Sequence, residues 1–222
     1  MLLYLLFVRQ SKIESEPGEI YTLVVLFTPI IDPIGFSHTR QYTRPKTVRS
    51  SAMRAVIVTG TPGSGKTSVA EEMASRMERS AHIPVDFFRK MIKGGYRSPH
   101  RWDEEVERQY KLSRRAAADT AVRLAVCGFT PILDDVVAPG WEEEWRIYLL
   151  GMQVDIVLLR PKLDVVIERN QARTCWTVEE QVLRDLHAML GQDYTAKWHR
   201  IDNSEGTPAD TAELLMAQLG LC

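Results

Sequence analysis

Residues Gly60-Thr61-Pro62-Gly63-Ser64-Gly65-Lys66-Thr67 place a lysine and a threonine directly behind three glycines. The run fits G-x-x-x-x-G-K-[ST], a spacing at which backbone N–H groups can converge on a phosphate. Gly63 and Gly65 permit positive φ and close approach, Lys66 can reach the β- and γ-phosphates, and the Thr67 hydroxyl can ligate Mg²⁺. Ser68 follows directly and completes the candidate phosphate-binding set. The chemistry is capture of a nucleoside triphosphate, with ATP and Mg²⁺ as the expected cofactors.

Four further charged positions could turn capture into transfer. Asp86 ends the apolar run 81–85, and a carboxylate there could take the proton of a hydroxyl attacking the γ-phosphorus. The plain alternative is a helix N-cap for 87–92, since Asp favours that position. Asp134 and Asp135 close the run Pro131-Ile-Leu133, and adjacent carboxylates at a strand end are costly to bury without a compensating cation or donor. Strand alternation sends one toward the Mg²⁺ shell and leaves the other to anchor a loop. Spacing leaves the choice open; Asp134 is the metal candidate because it ends the strand proper. Arg169 and Arg173 stand four apart on one helical face, opposite Leu163, Val166 and Ile167, and an anion between them would offset their repulsion. The alternative for that pair is a solvated charged face with Glu168 nearby.

Phe87, Phe88, Met91, Tyr96 and Trp102 are interleaved with Arg89, Lys90, Lys93 and Arg97. Such a cluster either clamps an acceptor or packs on itself as a small helical subdomain.

Elements to position these residues can be read from apolar periodicity. Arg54–Thr59 is a β-branched run ending at Gly60, and Val69, Ala70, Met73 and Met77 follow at helical spacing. Four more strands are expected at 81–85, 130–133, 154–159 and 198–201, each followed by a helical pattern. The longest helix is expected at 103–126, with Val106, Tyr110, Leu112, Ala117, Ala121 and Ala125 as its apolar stripe and Gly128 as its stop. Thr177 with Glu180 reads as a capping box, and Thr207-Pro208 opens a final helix that Gly220 ends. Strands alternating with helices imply an α/β fold: a mostly parallel sheet covered on both faces, with ligands beyond the carboxyl ends of its strands.

The chain has 222 residues, room for one domain and an appendage. Its first 52 residues read as an extension of unassigned role, with the working domain at 53–222. The apolar stretches 1–8 and 20–31 are both shorter than the roughly 20 residues that a bilayer span needs. A net charge of -1 weighs against stable nucleic-acid binding. Cys127, Cys175 and Cys222 form neither a disulfide framework nor a zinc ribbon, which points to a reducing cytosol. His38, His82, His100, His187 and His199 contain no pair at helical metal-ligand spacing and read as structural or solvent-facing.

The segments GTPGSGKTS, PVDFFR, GFTPILDDVV, VLLRPKLDVVIERNQAR and RIDNSEGTPADTAELL together resemble the P-loop kinase group. That group includes chloramphenicol phosphotransferase-like proteins and, more distantly, zeta toxins and gluconate kinases; the resemblance covers about 53–220. It implies a three-layer sandwich with a five-stranded parallel sheet, an acceptor site over the helices after the second strand, and a short arginine-bearing lid. It also implies that Asp86 is the catalytic base, that Arg169 and Arg173 are lid arginines, and that the loop from Asn203 to Thr207 borders the adenine. The expected activity is ATP-dependent phosphorylation of a small-molecule hydroxyl, antibiotic-like compounds included. The alternatives are a polynucleotide or nucleotide-sugar kinase and a non-catalytic ATP switch.

Overall fold

A computed structural model describes residues 53–174 and 177–221. The expected extension at 1–52, as well as Cys175 and Cys222, lies outside the described residues.

Strand β1 (Arg54–Thr59) leads through the glycine loop into α1 (Lys66–Arg76), and β2 (Ser80–Pro84) runs directly into the short α2 (Val85–Lys90). Helix α3 (Glu104–Val126), β3 (Thr130–Asp134), α4 (Trp141–Tyr148), β4 (Gln153–Leu159) and α5 (Leu163–Gln171) follow. The chain continues through α6 (Glu180–Met189), β5 (His199–Ile201) and α7 (Pro208–Leu219). The strands form one parallel sheet in the order β2-β3-β1-β4-β5, so the strand that feeds the glycine loop lies at the centre. Val56 pairs with Ile132 on one side and with Asp155 on the other.

Period-2 alternation along β1 divides its side chains between two cores. Ala55 and Ile57 face a layer with Ala117, Ala121 and Trp145 from α3 and α4. Val56 and Val58 face Val69, Met73, Ala212 and Leu215 from α1 and α7. Each such Val, Ile or Leu contributes about 1.5–3 kcal/mol on full burial, so the two faces clamp β1 from both sides.

Two local readings are corrected. Helix α3 begins as expected, with the Asp103 carboxylate accepting from the Val106 N–H, but Leu112 is exposed. Beside Val106, Ala117, Ala121 and Ala125 the buried face also carries the polar Gln109, Ser113 and Arg114. The Thr177–Glu180 capping box does not form, because α6 starts two residues late for it, with Glu179 at the N-cap and no side-chain cap. A reciprocal box forms instead at α7, between Thr207 and Asp210.

Candidate active site

The glycine loop turns from the carboxyl end of central β1 into the amino end of α1. Gly65 sits at the N-cap with φ +91°, a conformation that L side chains rarely adopt, and leaves the first amides of α1 free of a side-chain cap. Those amides and the helix dipole are therefore available to an anion. Gly63 is required for a second reason: with φ +90°, a Cβ there would stand 2.7 Å from the Val166 carbonyl oxygen of α5. Gly63→Ala is expected to lower stability by about 2 kcal/mol or more, combining positive-φ strain with that collision. Thermal denaturation should show a drop of at least ~4 °C with weakened ATP binding, whereas an unchanged melting point would mean that the loop adapts.

Lys66 folds over the loop and donates from Nζ to the Thr61 carbonyl at 3.1 Å. Burial lowers its pKa, opposed chiefly by the carboxylates of Asp134 and Asp86, with Arg173 adding to the decrease and Asp135 opposing it. Four charged groups from three segments are thus in electrostatic reach of one ammonium. The hydroxyls of Thr61 and Ser64 are buried without a hydrogen-bond partner among the described residues, polar capacity built into the loop and unused by it.

Asp134 and Asp135 diverge as strand alternation requires. Thr67 Oγ1 donates to Asp134 Oδ1 at 3.3 Å, while His82 Nε2 lies 2.6 Å from Asp134 Oδ2. His82, read from sequence as an unremarkable histidine, instead steadies this carboxylate from the neighbouring strand. Asp135 turns the other way and accepts from Trp145 Nε1 at 3.0 Å and from the Val136 N–H at 2.9 Å, anchoring the loop into α4. Thr59 Oγ1 at the end of β1 accepts from the Val137 N–H and holds the same loop.

Burial pushes the Asp135 carboxyl up to about 7, against the opposing influence of Arg114 and of the Trp145 indole N–H. The folded protein therefore holds this proton more tightly than the unfolded chain does. The resulting stability is full below the ordinary carboxylate range and is lost as pH rises through about 7. In protein free of nucleotide and metal, Asp135→Asn should flatten the fall in melting temperature between about pH 4 and 7. An identical slope in both proteins would remove Asp135 as its source.

Asp86 lies at the second position of α2, exposed, and Pro84 occupies the N-cap without a side-chain bond. The capping alternative is thereby corrected: β2 passes into α2 without the extra residue that would put Asp86 at the cap. Its carboxylate makes no hydrogen bond among the described residues and stays within electrostatic reach of Lys66, Tyr110 and Asp135.

On the opposite flank of the loop, a pocket of about 280 Å³ is lined by Gly65, Ser68, Arg169, Arg173, Asn203 and Thr207. Arg169 and Arg173 share this lining but not one helical face, because α5 ends at Gln171 and Arg173 projects from the following turn. Arg169 donates to the carbonyls of Asn203 and Ser204 at 3.0 and 3.2 Å. Asn203 Nδ2 donates to the Ser64 carbonyl at 2.8 Å, tying the β5–α7 loop to the glycine loop. The candidate residues thus occupy one sheet edge: Asp86 toward α2, the glycine loop central, and the two arginines toward α7.

The flank beside Asp86 buries two arginines, one of them, Arg89, from the basic and aromatic cluster named in the sequence. Arg114 is fully buried, stacks 3.7 Å from the Trp141 ring centroid, and pairs with Glu144 through Nε and Nη2. Arg89, also buried, stacks on Tyr110 and Tyr96. Phe87, Met91 and Trp102 are more than half exposed, whereas Phe88 packs on the core and Tyr96 lies against Arg89.

A family model described as an AAA domain matches residues 56–189. Among solved structures, a tunicamycin resistance protein of Deinococcus radiodurans is similar at a TM-score of 0.58 and 20% identity, over 76% of this chain and 96% of that one. A shikimate kinase of Acinetobacter baumannii matches at 0.56 and 21%, over 76% and 94%. A sugar kinase of Janibacter sp. matches at 0.55 and 20%, over 77% and 96%. No curated protein matches the chain. Among the described residues no helix is long and apolar enough to cross a membrane.

Proposed function

This chain belongs to the AAA domain family and has the α/β fold of the P-loop kinases, and from that premise we propose that it is an ATP-dependent O-phosphotransferase acting on a small-molecule hydroxyl. The observation that carries this reading is Asp86, an exposed carboxylate without a hydrogen-bond partner among the described residues, within electrostatic reach of Lys66 on the flank opposite the pocket beside Asn203. The neighbours named for a sugar and for shikimate support a hydroxylated small molecule, one from an RNA repair complex keeps a polynucleotide as the second reading, and the net charge of -1 favours the first.

ATP would sit with its phosphates on the amides of residues 63–67 and its base toward the pocket beside Asn203 and Thr207. The oxygen donors Thr67 Oγ1 and Asp134 Oδ1, already within 3.3 Å of each other, suit Mg²⁺, which prefers oxygen ligands and retains several waters. The metal would supply charge neutralisation on the phosphates. Asp86 would accept the proton of the acceptor hydroxyl as its oxygen forms a bond to the γ-phosphorus. The bond from that phosphorus to the β,γ-bridging oxygen breaks, and ADP departs. Lys66 and Arg173 would balance charge on the transferring group, while Arg169 holds the pocket wall. Such a reaction belongs to the cytoplasm, where ATP is abundant.

A panel of hydroxylated compounds, followed by ADP release, tests the assignment. At least one acceptor should raise ADP formation well above the acceptor-free rate and emerge phosphorylated. ATP binding without acceptor-dependent turnover would favour the regulatory reading.

A further inference from the structure

Asp134 is held unevenly by its two neighbours. On one side, Thr67 Oγ1 donates to Oδ1 at 3.3 Å, beyond the roughly 2.5–3.0 Å usual for an O–H···O bond. On the other, His82 Nε2 stands 2.6 Å from Oδ2, a short approach for nitrogen to oxygen. A carboxylate only accepts, so Nε2 carries the proton and the ring donates. The side chains of His82 and Asp134 are 15% and 9% exposed, which leaves water little room to replace this bond. His82 makes it across the sheet, since β2 and β3 run parallel with His82 opposite Ile132 and Pro84 opposite Asp134. One carboxylate oxygen is thus committed to the ring, and the other is loosely held beside the first turn of α1.

Resting on the placement of Mg²⁺ at Thr67 and Asp134 in the reading above, we propose that His82 is the positioning residue of the metal site: it holds Asp134 Oδ2, presents Oδ1 to the cation and so favours Mg²⁺ over Ca²⁺. Without the ring, the carboxylate could turn about its last side-chain bond and offer either oxygen, or both. Mg²⁺ demands near-ideal octahedral geometry, whereas Ca²⁺ takes one or both oxygens of a carboxylate in a flexible shell. A donor fixed on Oδ2 removes the two-oxygen mode and sets the direction of Oδ1, which suits the first ion and restricts the second. The ring needs no contact with the metal. Partners that hold a metal ligand from behind in this way typically set metal affinity by about 10- to 100-fold. The same segment, β2 running into α2, also carries Asp86, so one piece of chain orients both the carboxylate proposed for the metal and the carboxylate proposed for the acceptor.

The test reads metal binding directly. Mn²⁺ is added to the full chain with ATP, its enhancement of water-proton relaxation is recorded, and Mg²⁺ or Ca²⁺ is titrated in to displace it, which yields a Kd for each ion. The wild-type complex should hold Mg²⁺ more tightly than Ca²⁺. In His82→Leu the Mg²⁺ Kd should rise about 10- to 100-fold and the Ca²⁺ Kd far less, with ATP affinity in the presence of a chelator near that of wild type. His82→Gln, whose amide presents an N–H at similar reach, should recover most of the loss. If His82→Leu does not fold, the same rise is read in His82→Asn, whose amide is too short to reach Oδ2. An unchanged Mg²⁺ Kd, parallel losses for Mg²⁺, Ca²⁺ and metal-free ATP, no recovery in His82→Gln, or a wild type without preference for Mg²⁺ overturns the positioning role and leaves the kinase standing. Failure of the wild-type ATP complex to retain Mn²⁺ overturns the metal placement and this inference with it, while acceptor-dependent ADP release decides the kinase reading separately.

Discussion

Asp86→Asn is expected to bind ATP with near-normal affinity and to transfer phosphate about 10² to 10⁴ times more slowly. That factor is roughly 3 to 5 kcal/mol of transition-state stabilisation, far beyond a surface change. Asparagine keeps the shape but cannot take a proton. Because Pro84 and not Asp86 occupies the N-cap, and no cap bond exists to lose, Asp86→Ala should leave the melting temperature nearly unchanged. At most it forfeits the favourable placement of an anion in a first helical turn, about 0.3–1 kcal/mol. The measurement pairs single-turnover transfer with thermal denaturation for both variants. Wild-type transfer by the asparagine variant would remove Asp86 from the mechanism and restore the ATP switch as the first reading.

Lys66→Ala should cost about 10² to 10³ in transfer, as loss of one charge-stabilising donor over a preorganised anion site usually does. Its effect on folding should be small and of the opposite sign. The ammonium is held at a cost in burial, and its one hydrogen bond, to the Thr61 carbonyl, is internal to the loop. Calorimetric titration should therefore show weakened ATP binding in a protein that melts no lower than wild type. Unchanged affinity and turnover would mean that the loop is not the triphosphate site; a collapsed melting temperature would mean that Lys66 belongs to the core.

The contrast between these lysine and aspartate sites and their surroundings shows what a sequence makes legible. The glycine loop, α1 and β1 are contiguous, and their chemistry is local, so spacing alone exposes them. The divergence of Asp134 and Asp135 was also legible, because period-2 alternation holds wherever a strand ends. Which carboxylate turns toward Thr67 was a matter of register, which only the pairing of β1 with β3 resolves. His82 had no sequence signal at all, since its partner is Asp134 on a neighbouring strand. Arg89 and Arg114 were hidden for a different reason: charged residues on helices default to solvent in any pattern argument, and here both are drawn inward by aromatic faces. Arg173 was misplaced because helical spacing was extended past the true end of α5 at Gln171.

The central position of β1 bears on how the molecule comes into being. Val56 finds its partners at Ile132 and Asp155, both far along the chain. During synthesis at about 5–20 residues per second, β1 must wait several seconds for β3 and longer for β4, and such non-local parallel pairing is slow to form afterwards. The stretch Ala55-Val-Ile-Val58, apolar and β-branched, is meanwhile a strand without a sheet and a hazard for pairing with other chains. The glycine loop, whose shape depends on the end of β1 and on the α5 carbonyl that crowds Gly63, is thus one of the last parts of the molecule to become itself. A nascent chain gains the ability to hold a nucleotide only after most of its length has left the ribosome.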